Sequence, residues 1–366
     1  MKGVAAAVAL AASFGQALGA LKYGGVNIAG FDFGCDTSGT CNVTAAYALG
    51  AVGTNQIDHF VSKGLNAFRL PVGWQYLLNN QLGGTLNAAN FAKYDALVQS
   101  CLDVASLCII DIHNYARWNG GIIGQGGPTN AQFASVWSQL ATKYKGESNI
   151  AFGVMNEPHD IPNINTWAAS VQAAVTAIRQ AGATSQLILL PGNDYTSAGA
   201  FISDGSAAAL STVSNPDGSK TNLIFDVHKY LDSDNSGTHT NCVTNNIATA
   251  FQPLADYLRT NKRQAMLTET GGGATDSSCN TYVCQELEYL AENSDVYLGY
   301  TTWAAGGFDQ TYELTETPLP SGADQPLVTN CVEGVFTGKY TGGDGTTGSG
   351  GSGTGTGSGS GSGAVS

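Results

Sequence analysis

Two glutamates follow apolar runs in this sequence. The stretch GVMNEPHD, residues 153–160, begins as an apolar run and then reaches Asn156 and Glu157. A second run, QAMLTETGG, contains Glu269 just before a series of glycines. A carboxylate is costly to desolvate and adds nothing to a core. Each glutamate is therefore either a solvated loop acid or a group placed there for chemistry.

Cleavage of a glycosidic bond is the chemistry that suits a pair of carboxylic acids. One acid keeps its proton near working pH, because its surroundings raise its pKa, and it protonates the leaving oxygen. The other stays ionised and attacks the anomeric carbon, and a nearby cation such as Arg69 favours this charged form. Carboxylates roughly 5–5.5 Å apart give retention through a covalent intermediate, and wider spacing gives inversion. Glu157 and Glu269 are the predicted pair.

The elements that must position these acids recur along residues 21–340. Short apolar runs, mostly leucine and β-branched residues, alternate with amphipathic stretches. Continuous runs of this kind are typical of strands that are covered on both faces. Eight such strands are predicted, beginning at Tyr23, Ala67, Leu107, Ile150, Leu187, Leu223, Gln264 and Tyr297.

The stretches between these runs are predicted to be helices. In NTWAASVQAAVTAIRQAGA, for example, Trp167, Val171 and Ile178 share one face at helical spacing, and Gly182 ends the helix. Eight strands alternating with helices predict a single α/β domain, a disulfide-stabilised (β/α)8 or TIM barrel over residues 21–340. A doubly wound open sheet is the alternative. It would usually carry a glycine-rich phosphate turn after the first strand, which GGVNIAGFDFG does not match.

Side chains able to bind or react gather at the ends of the predicted strands. In a barrel of this kind, chemistry takes place at the C-terminal ends of the strands. Six of the eight predicted strands carry polar or aromatic residues there, so the barrel would bring them to one mouth. These residues are Arg69, Trp74, Asp111, His113, Asn114, Trp118, Asn156, Glu157, His228, Tyr230, Glu269 and Trp303.

The five tryptophans fall into two groups. Trp74, Trp118 and Trp303 follow strand ends and are candidate sugar platforms, because the flat C–H faces of pyranose rings stack on aromatic rings. Trp137 and Trp167 lie at helical spacing and are predicted to be core.

Charge narrows the range of partners. The formal net charge is −13, which argues against nucleic acid, since phosphates demand a basic face, and against anionic membranes. A neutral polymer or small molecule is the expected partner, and no metal or cofactor is expected. The chain is expected to act as a monomer.

Both ends of the sequence differ from the middle. Residues 1–20 contain a lysine, a short alanine-rich apolar run and small residues, the pattern of a secretory signal peptide. Residues 341–366 are rich in Gly, Ser and Thr and contain no aromatic residue, so they are predicted to be a flexible linker or tail. The sequon at Asn42 predicts a glycan, as expected for a secreted chain.

The cysteine count fits secretion as well. An even number of cysteines in a secreted chain suggests disulfides, and a zinc site is disfavoured because no Cys-x-x-Cys pair or histidine cluster is present. Two pairs, Cys35 with Cys41 and Cys101 with Cys108, are close enough in sequence to close local loops. The eight cysteines are Cys35, Cys41, Cys101, Cys108, Cys242, Cys279, Cys284 and Cys331.

Six motifs in order along the chain resemble a known family. RLPVGW, DIHNYARW, GVMNEP, DVHKYLD, LTETGGG and TTWAAGG together resemble glycoside hydrolase family 5, and within it the secreted fungal endo-β-1,4-glucanases, or cellulases. The resemblance covers residues 21 to about 340. It implies a retaining endo-β-1,4-glucanase that hydrolyses cellulose and related β-glucans.

The resemblance implies roles for the matching residues. Glu157 would be the acid/base and Glu269 the nucleophile, with Asn156 holding the sugar 2-hydroxyl. Arg69 and Tyr230 would hydrogen-bond the nucleophile. The remaining implied site residues are His113 and His228, which would line the cleavage subsite, and Trp303, which would form the floor under the sugar toward the non-reducing end. The implied disulfides are Cys35–Cys41, Cys101–Cys108, Cys242–Cys279 and Cys284–Cys331.

Two alternatives remain at the level of sequence. A β-mannanase or mixed-linkage β-glucanase of the same family would use the same carboxylates. A non-catalytic glucan-binding barrel would normally lose one glutamate, whereas both Glu157 and Glu269 are present.

Overall fold

The computed structural model describes residues 20–340. The predicted signal peptide, apart from Ala20, and the predicted tail over 341–366 lie outside the described residues.

Parallel strands close into one barrel, in which each strand pairs with its neighbours along the chain. The strands are β1 (Tyr23–Ala29), β2 (Ala67–Val72), β3 (Leu107–Ile112), β4 (Ile150–Gly153), β5 (Leu187–Pro191), β6 (Leu223–His228), β7 (Ala265–Glu269) and β8 (Tyr297–Gly306). Because β1 pairs with both β2 and β8, the barrel is closed and the open-sheet alternative is wrong. Each strand begins at its predicted residue except β7, which begins one residue later.

Helices occupy the stretches between the strands, as predicted. Several begin with a side-chain cap: Thr129 forms a reciprocal capping box with Gln132, and Asn163 accepts from two backbone N–H groups. The α-helices of the described chain are α1 (Ala51–Ser62), α2 (Trp74–Leu78), α3 (Ala88–Leu102), α4 (Asn130–Tyr144), α5 (Ile164–Gln180), α6 (Ser206–Leu210), α7 (Gln252–Asn261), α8 (Ser277–Glu292) and α9 (Gly334–Phe336).

Strand alternation builds two layers inside the barrel. The lower layer is apolar and includes Ala67, Ile109, Ile224 and Met266. The residue two positions further along a strand points to the same face but lies closer to the C-terminal end. In these four strands that residue is polar and at most 1% exposed, namely Arg69, Asp111, Asp226 and Thr268. A buried polar layer therefore lies directly beneath the mouth.

The tryptophans of the helices belong to the core, as predicted. Trp137 and Trp167 are fully buried, and each indole N–H donates to a backbone carbonyl. The prediction that Trp74 is a sugar platform is wrong. The chain turns into α2 at Trp74, and its side chain is fully buried against Phe133 and Trp118. No sugar ring can stack on it there.

Four disulfides join the cysteines in the implied pairs. Cys35–Cys41 and Cys101–Cys108 close short loops, and the other two bonds each fasten α8 to a more distant segment, at Cys242 and at Cys331. Among the described residues, none of the helices combines the length and apolar character needed to cross a bilayer.

Candidate active site

The two glutamates meet at the mouth of the barrel. Glu269 is the last residue of β7, and Glu157 follows β4 in a left-handed backbone conformation, with φ of 39°. His228, at the end of β6, lies between them: Nδ1 is 2.9 Å from Glu157 Oε1 and 3.6 Å from Glu269 Oε2. One carboxylate oxygen of each glutamate and this imidazole nitrogen all lie within 4.8 Å of one another. The two carboxylates are therefore close together and face the same space.

Two donors hold the Glu269 carboxylate. Arg69 Nη1 forms an ion pair with Oε1, and the Tyr230 hydroxyl donates to Oε2 at 2.9 Å. The Glu269 side chain is only 5% exposed, so few water molecules compete for these bonds. The two contacts therefore hold both oxygens of Glu269 in place and orient the carboxylate.

Arg69 is fixed by more than Glu269. Its guanidinium is fully buried, lies 3.1 Å from Asp111 Oδ2, and donates to Asn27 at 3.0 Å and to Asn156 at 2.7 Å. Burial disfavours the charged form, but the carboxylates of Asp111 and Glu269 outweigh it and raise the pKa of Arg69. The mouth therefore contains a permanent cation beside one glutamate.

Glu157 has different surroundings. Burial raises its pKa to about 7, while the positive charges of His113 and Arg69 oppose the shift. Its side chain is 15% exposed, and one oxygen pairs with His228. Glu157 is thus suited to carry a proton near neutral pH, whereas Glu269 is held by a cationic and a hydroxyl donor. Acid-assisted substitution needs two carboxyl groups in such different surroundings.

An aromatic wall stands on one side of the two glutamates. The His113 and Trp303 rings stack, with centroids 5.4 Å apart and planes 18° from parallel. His113 Nδ1 lies 2.8 Å from Asp111 Oδ2. Burial lowers the pKa of His113, but the carboxylates of Asp111, Asp32 and Glu269 together outweigh burial, so the pKa is raised. The indole N–H of Trp303 donates to Tyr312 Oη at 3.0 Å, which fixes the plane of the ring.

Asn156 presents an unpaired donor. It is 1% exposed, and its Oδ1 accepts from Arg69, whereas its Nδ2 is buried without a protein partner in the described part of the chain. A buried amide N–H without an acceptor costs free energy. A hydroxyl of a bound ligand would satisfy it.

A cleft of about 570 Å³ opens on the other side of Glu157, and sequence reasoning missed it. Its lining includes Tyr115, Tyr195, Lys229 and Tyr230, but neither His113 nor Trp303. Tyr195 could have been found from the sequence, because Asn193, Asp194 and Tyr195 lie just beyond the end of β5, and side chains at that position face the mouth of the barrel.

Tyr195 has the geometry of an exposed stacking surface. It is 42% exposed, and its ring lies parallel to that of His159, with centroids 4.6 Å apart and planes 5° from parallel. His159 is held in turn by Thr37 O at 2.9 Å and Asp160 at 2.7 Å. A ring supported in this way is pre-oriented for a flat apolar partner.

Other polar and aromatic residues at the strand ends have structural contacts. Asn114 is fully buried and accepts from Trp74 N at 2.7 Å, so it anchors the start of α2. Trp118 packs edge-on against Trp74 at 5.2 Å in a short hairpin, Arg117–Trp118 with Gly121–Ile122, and stays only a predicted platform. Asn42 is exposed, and its glycan stays a prediction.

Among the described residues, two groups of side chains could hold a metal ion. In the mouth, one donor atom each of Glu157, His228 and Glu269 lie within 4.8 Å of one another, although Arg69 and Tyr230 also contact the Glu269 carboxylate. After β6, donor atoms of Asp232, Asp234 and His239 lie within 4.8 Å of one another. Asp234 and His239 are exposed, and exposed acidic groups of this kind are common without an ion.

Comparison with known proteins gives a consistent result. Residues 26–306 match the family model described as cellulase, glycosyl hydrolase family 5. The chain is 65% identical over 325 residues to endoglucanase EG-II of Hypocrea jecorina, covering 85% of this chain and 77% of that protein. The crystal structure of Cel5A (EG2) from Hypocrea jecorina superposes with a TM-score of 0.83 at 64% identity, over 86% of this chain and 98% of that chain.

A more distant relative has been solved with a ligand. The structure of XacCel5A in complex with cellopentaose matches with a TM-score of 0.76 at 32% identity, over 84% of this chain and 97% of that chain. The family model spans most of the barrel. The chain belongs to glycosyl hydrolase family 5.

Proposed function

We propose that the protein is a retaining endo-β-1,4-glucanase that hydrolyses internal bonds of cellulose and related β-glucans. The observation that carries the proposal is the closeness of Glu157 and Glu269, whose facing oxygens lie within 4.8 Å. Retaining glycosidases place their carboxyl groups roughly 5–5.5 Å apart, whereas inverting enzymes need room for a water molecule between them. The short separation supports double displacement.

In the first step, Glu269 attacks the anomeric carbon while Glu157 gives its proton to the leaving glycosidic oxygen. Arg69 and Tyr230 hold the two oxygens of Glu269 and orient them until Glu269 bonds to the sugar. The raised pKa of Glu157 supports the acid role, because a group with a pKa of about 7 still carries its proton in mildly acidic solution.

In the second step, Glu157 acts as the base. It takes a proton from water, the water oxygen attacks the anomeric carbon, and the bond from the sugar to Glu269 breaks. The configuration at the anomeric carbon is inverted twice and therefore retained. The unpaired Asn156 Nδ2 supports a role in binding the sugar 2-hydroxyl, where a hydrogen bond that strengthens in the transition state lowers the barrier.

The substrate class rests on the stacking surfaces and the relatives. Trp303 and Tyr195 are partly exposed aromatic rings on the two sides of Glu157, as a chain of pyranose rings requires. The relatives are named endoglucanases, and one was solved with cellopentaose. An uncharged substrate also agrees with a net charge of −13.

Secretion is part of the proposal. Disulfides form and persist in oxidising compartments, and this chain has four of them. The apolar stretch at the N-terminus of the sequence and the exposed sequon at Asn42 support the same location.

Variants of the two glutamates test the mechanism. Glu269→Gln should abolish turnover of cellulose while the fold and glucan binding persist, and robust hydrolysis by this variant would overturn the assignment. Glu157→Ala should lose less activity on an aryl cellobioside with a good leaving group than on cellulose, because the aryl group needs no proton. Equal losses on both would contradict the acid role.

Products decide between related specificities. Reducing-sugar release from cellulose, β-mannan and mixed-linkage barley glucan should be greatest on a β-1,4-glucan. NMR of the first products should show the β-anomer, as retention requires.

A further inference from the structure

We propose that Thr268 and Asp226 are positioning residues that direct the proton of His228 and, through it, the proton of the acid/base Glu157. The proposal rests on the proposed function of Glu157. It concerns two side chains of the polar layer beneath the mouth, neither of which is one of the groups assigned to the reaction above.

Four side chains form an unbroken chain of hydrogen bonds. The Thr268 hydroxyl donates to Asp226 Oδ1, Thr268 Oγ1 lies 2.9 Å from His228 Nε2, and His228 Nδ1 lies 2.9 Å from Glu157 Oε1. Asp226, Thr268 and His228 are at most 2% exposed. Water therefore has little access to these links, and the protein groups decide where each proton lies.

The single hydroxyl proton of Thr268 fixes the direction of the chain. Because Thr268 gives its proton to the Asp226 carboxylate, its oxygen can only accept from His228. His228 must then carry its proton on Nε2, and in the neutral ring Nδ1 is left as an acceptor. An acceptor at Nδ1 pairs with protonated Glu157 and repels ionised Glu157.

With Nδ1 of His228 as an acceptor, this direction of the hydrogen bonds helps both steps of the reaction. It disfavours ionised Glu157, so the acid is loaded with its proton before the glycosidic bond breaks. After that proton has gone to the leaving oxygen, the same mismatch makes Glu157 a stronger base toward water. Burial lowers the pKa of His228, which favours the neutral ring.

Other titratable groups also face Glu157 and His228, and all of them are unchanged in the test variants. They come from β2, β3, the loops after β3, β4, β5 and β6, and the end of β7: Arg69, Asp111, His113, Tyr115, His159, Tyr195, Tyr230 and Glu269. A shift seen on changing Thr268 or Asp226 alone is therefore assigned to the chain of hydrogen bonds.

The pH profile of glucan hydrolysis tests the proposal. Activity on glucan needs protonated Glu157, so it falls as pH rises through the pKa of Glu157. In Thr268→Val, His228 is free to carry its proton on Nδ1 and donate it to ionised Glu157. The alkaline limb of kcat/KM should move to lower pH by about 0.5–1 pH unit, and Thr268→Ser should restore it.

A second variant should also place the His228 proton on Nδ1, but it removes the acceptor on Asp226 instead of the hydroxyl of Thr268. Asp226→Leu removes the acceptor, so the Thr268 hydroxyl turns to His228 Nε2 and Nδ1 must carry the proton. The limb should again move to lower pH. Thr301→Val is the matched control, since Thr301 is also buried and donates to Thr268 O at 2.7 Å, but lies outside the chain. It should leave the limb in place.

The outcomes separate this proposal from the proposed function. Absence of glucanase activity in the unmodified protein would refute the function itself. An active protein whose Thr268→Val and Asp226→Leu variants lose activity equally at every pH would overturn the positioning role. Thermal melts of each variant identify any that fails to fold, and the other variant then decides.

Discussion

The Tyr230 hydroxyl donates a 2.9 Å hydrogen bond to Glu269 Oε2. The phenol therefore touches the oxygen opposite the one that Arg69 holds, and Tyr230 → Phe would remove one donor while leaving the ion pair in place. A hydrogen bond to a charged group contributes ~1.5–3 kcal/mol, so kcat/KM on cellulose should fall about 10- to 100-fold. Steady-state kinetics with a soluble cellulose derivative measures this loss.

The control for Tyr230 → Phe is Tyr282→Phe, which removes a phenol hydroxyl from α8 on the outside of the barrel. Its kinetics should match those of the unmodified protein. Equal activity of the two variants would show that the hydrogen bond to Glu269 does not matter for turnover.

Stability should depend on pH through Glu157. Its pKa is about 7 in the folded protein against an ordinary value of 4.5, so the folded state holds the proton more tightly than the unfolded chain. Stability is therefore lost as pH rises from 4.5 through 7. Glu157→Gln cannot ionise and should be more stable than the unmodified protein by up to ~3 kcal/mol above pH 7.

Thermal melts at pH 4 and pH 8 measure this difference. The gain in Tm of Glu157→Gln should be several degrees at the higher pH and close to zero at the lower one. Glu147→Gln, at an exposed turn, is the matched control and should show no gain at either pH. A gain of the same size at both values would mean that burial of the Glu157 charge is not its cause.

Much of the fold could be predicted from apolar runs alone. Strands that are covered on both faces need continuous apolar residues. The strands of this barrel have no solvated face, so the starts of the apolar runs predicted the starts of the strands. The proposed catalytic pair could be predicted because a carboxylate at the end of a buried run is costly to desolvate and adds nothing to a core. In the structure, one oxygen of Glu157 and one of Glu269 lie within 4.8 Å of each other.

Other features depend on contacts between distant strands. Trp303 lies within β8, near its C-terminal end, whereas Trp74 lies just beyond the end of β2, where the chain enters a helix and buries the ring. Only the packing of α2 against the barrel decides this. In the same way, the hydrogen bond from Thr268 to Asp226 joins β7 to β6. Nothing in the sequence around either residue distinguishes it from an ordinary strand residue.

The two tryptophans should respond differently to substitution. Trp303→Phe should lower kcat/KM on cellulose about 10-fold or more with little change in Tm, because the smaller ring keeps the fold but covers less sugar. Trp74→Phe should lower Tm by several degrees, since it leaves a cavity in the core, and keep kcat/KM near that of the unmodified protein. Kinetics and melts on both variants test the assignment, and a kinetic defect confined to Trp74→Phe would reverse it.

Tyr195 should bind the part of the substrate that leaves first. Its cleft includes Glu157 but not Trp303, so the acid lies between the two rings, and the leaving group extends toward Tyr195. Tyr195→Ala should lower kcat/KM for cellopentaose about 5- to 30-fold, whereas a small aryl cellobioside, which has no sugar on that side, should change less than about 2-fold. Tyr195→Phe keeps the ring and should retain activity on both substrates. If Tyr195→Ala lost equal activity on the two substrates, Tyr195 would not bind the leaving group. The substitution would then be impairing the reaction at Glu157 and Glu269, which both substrates undergo.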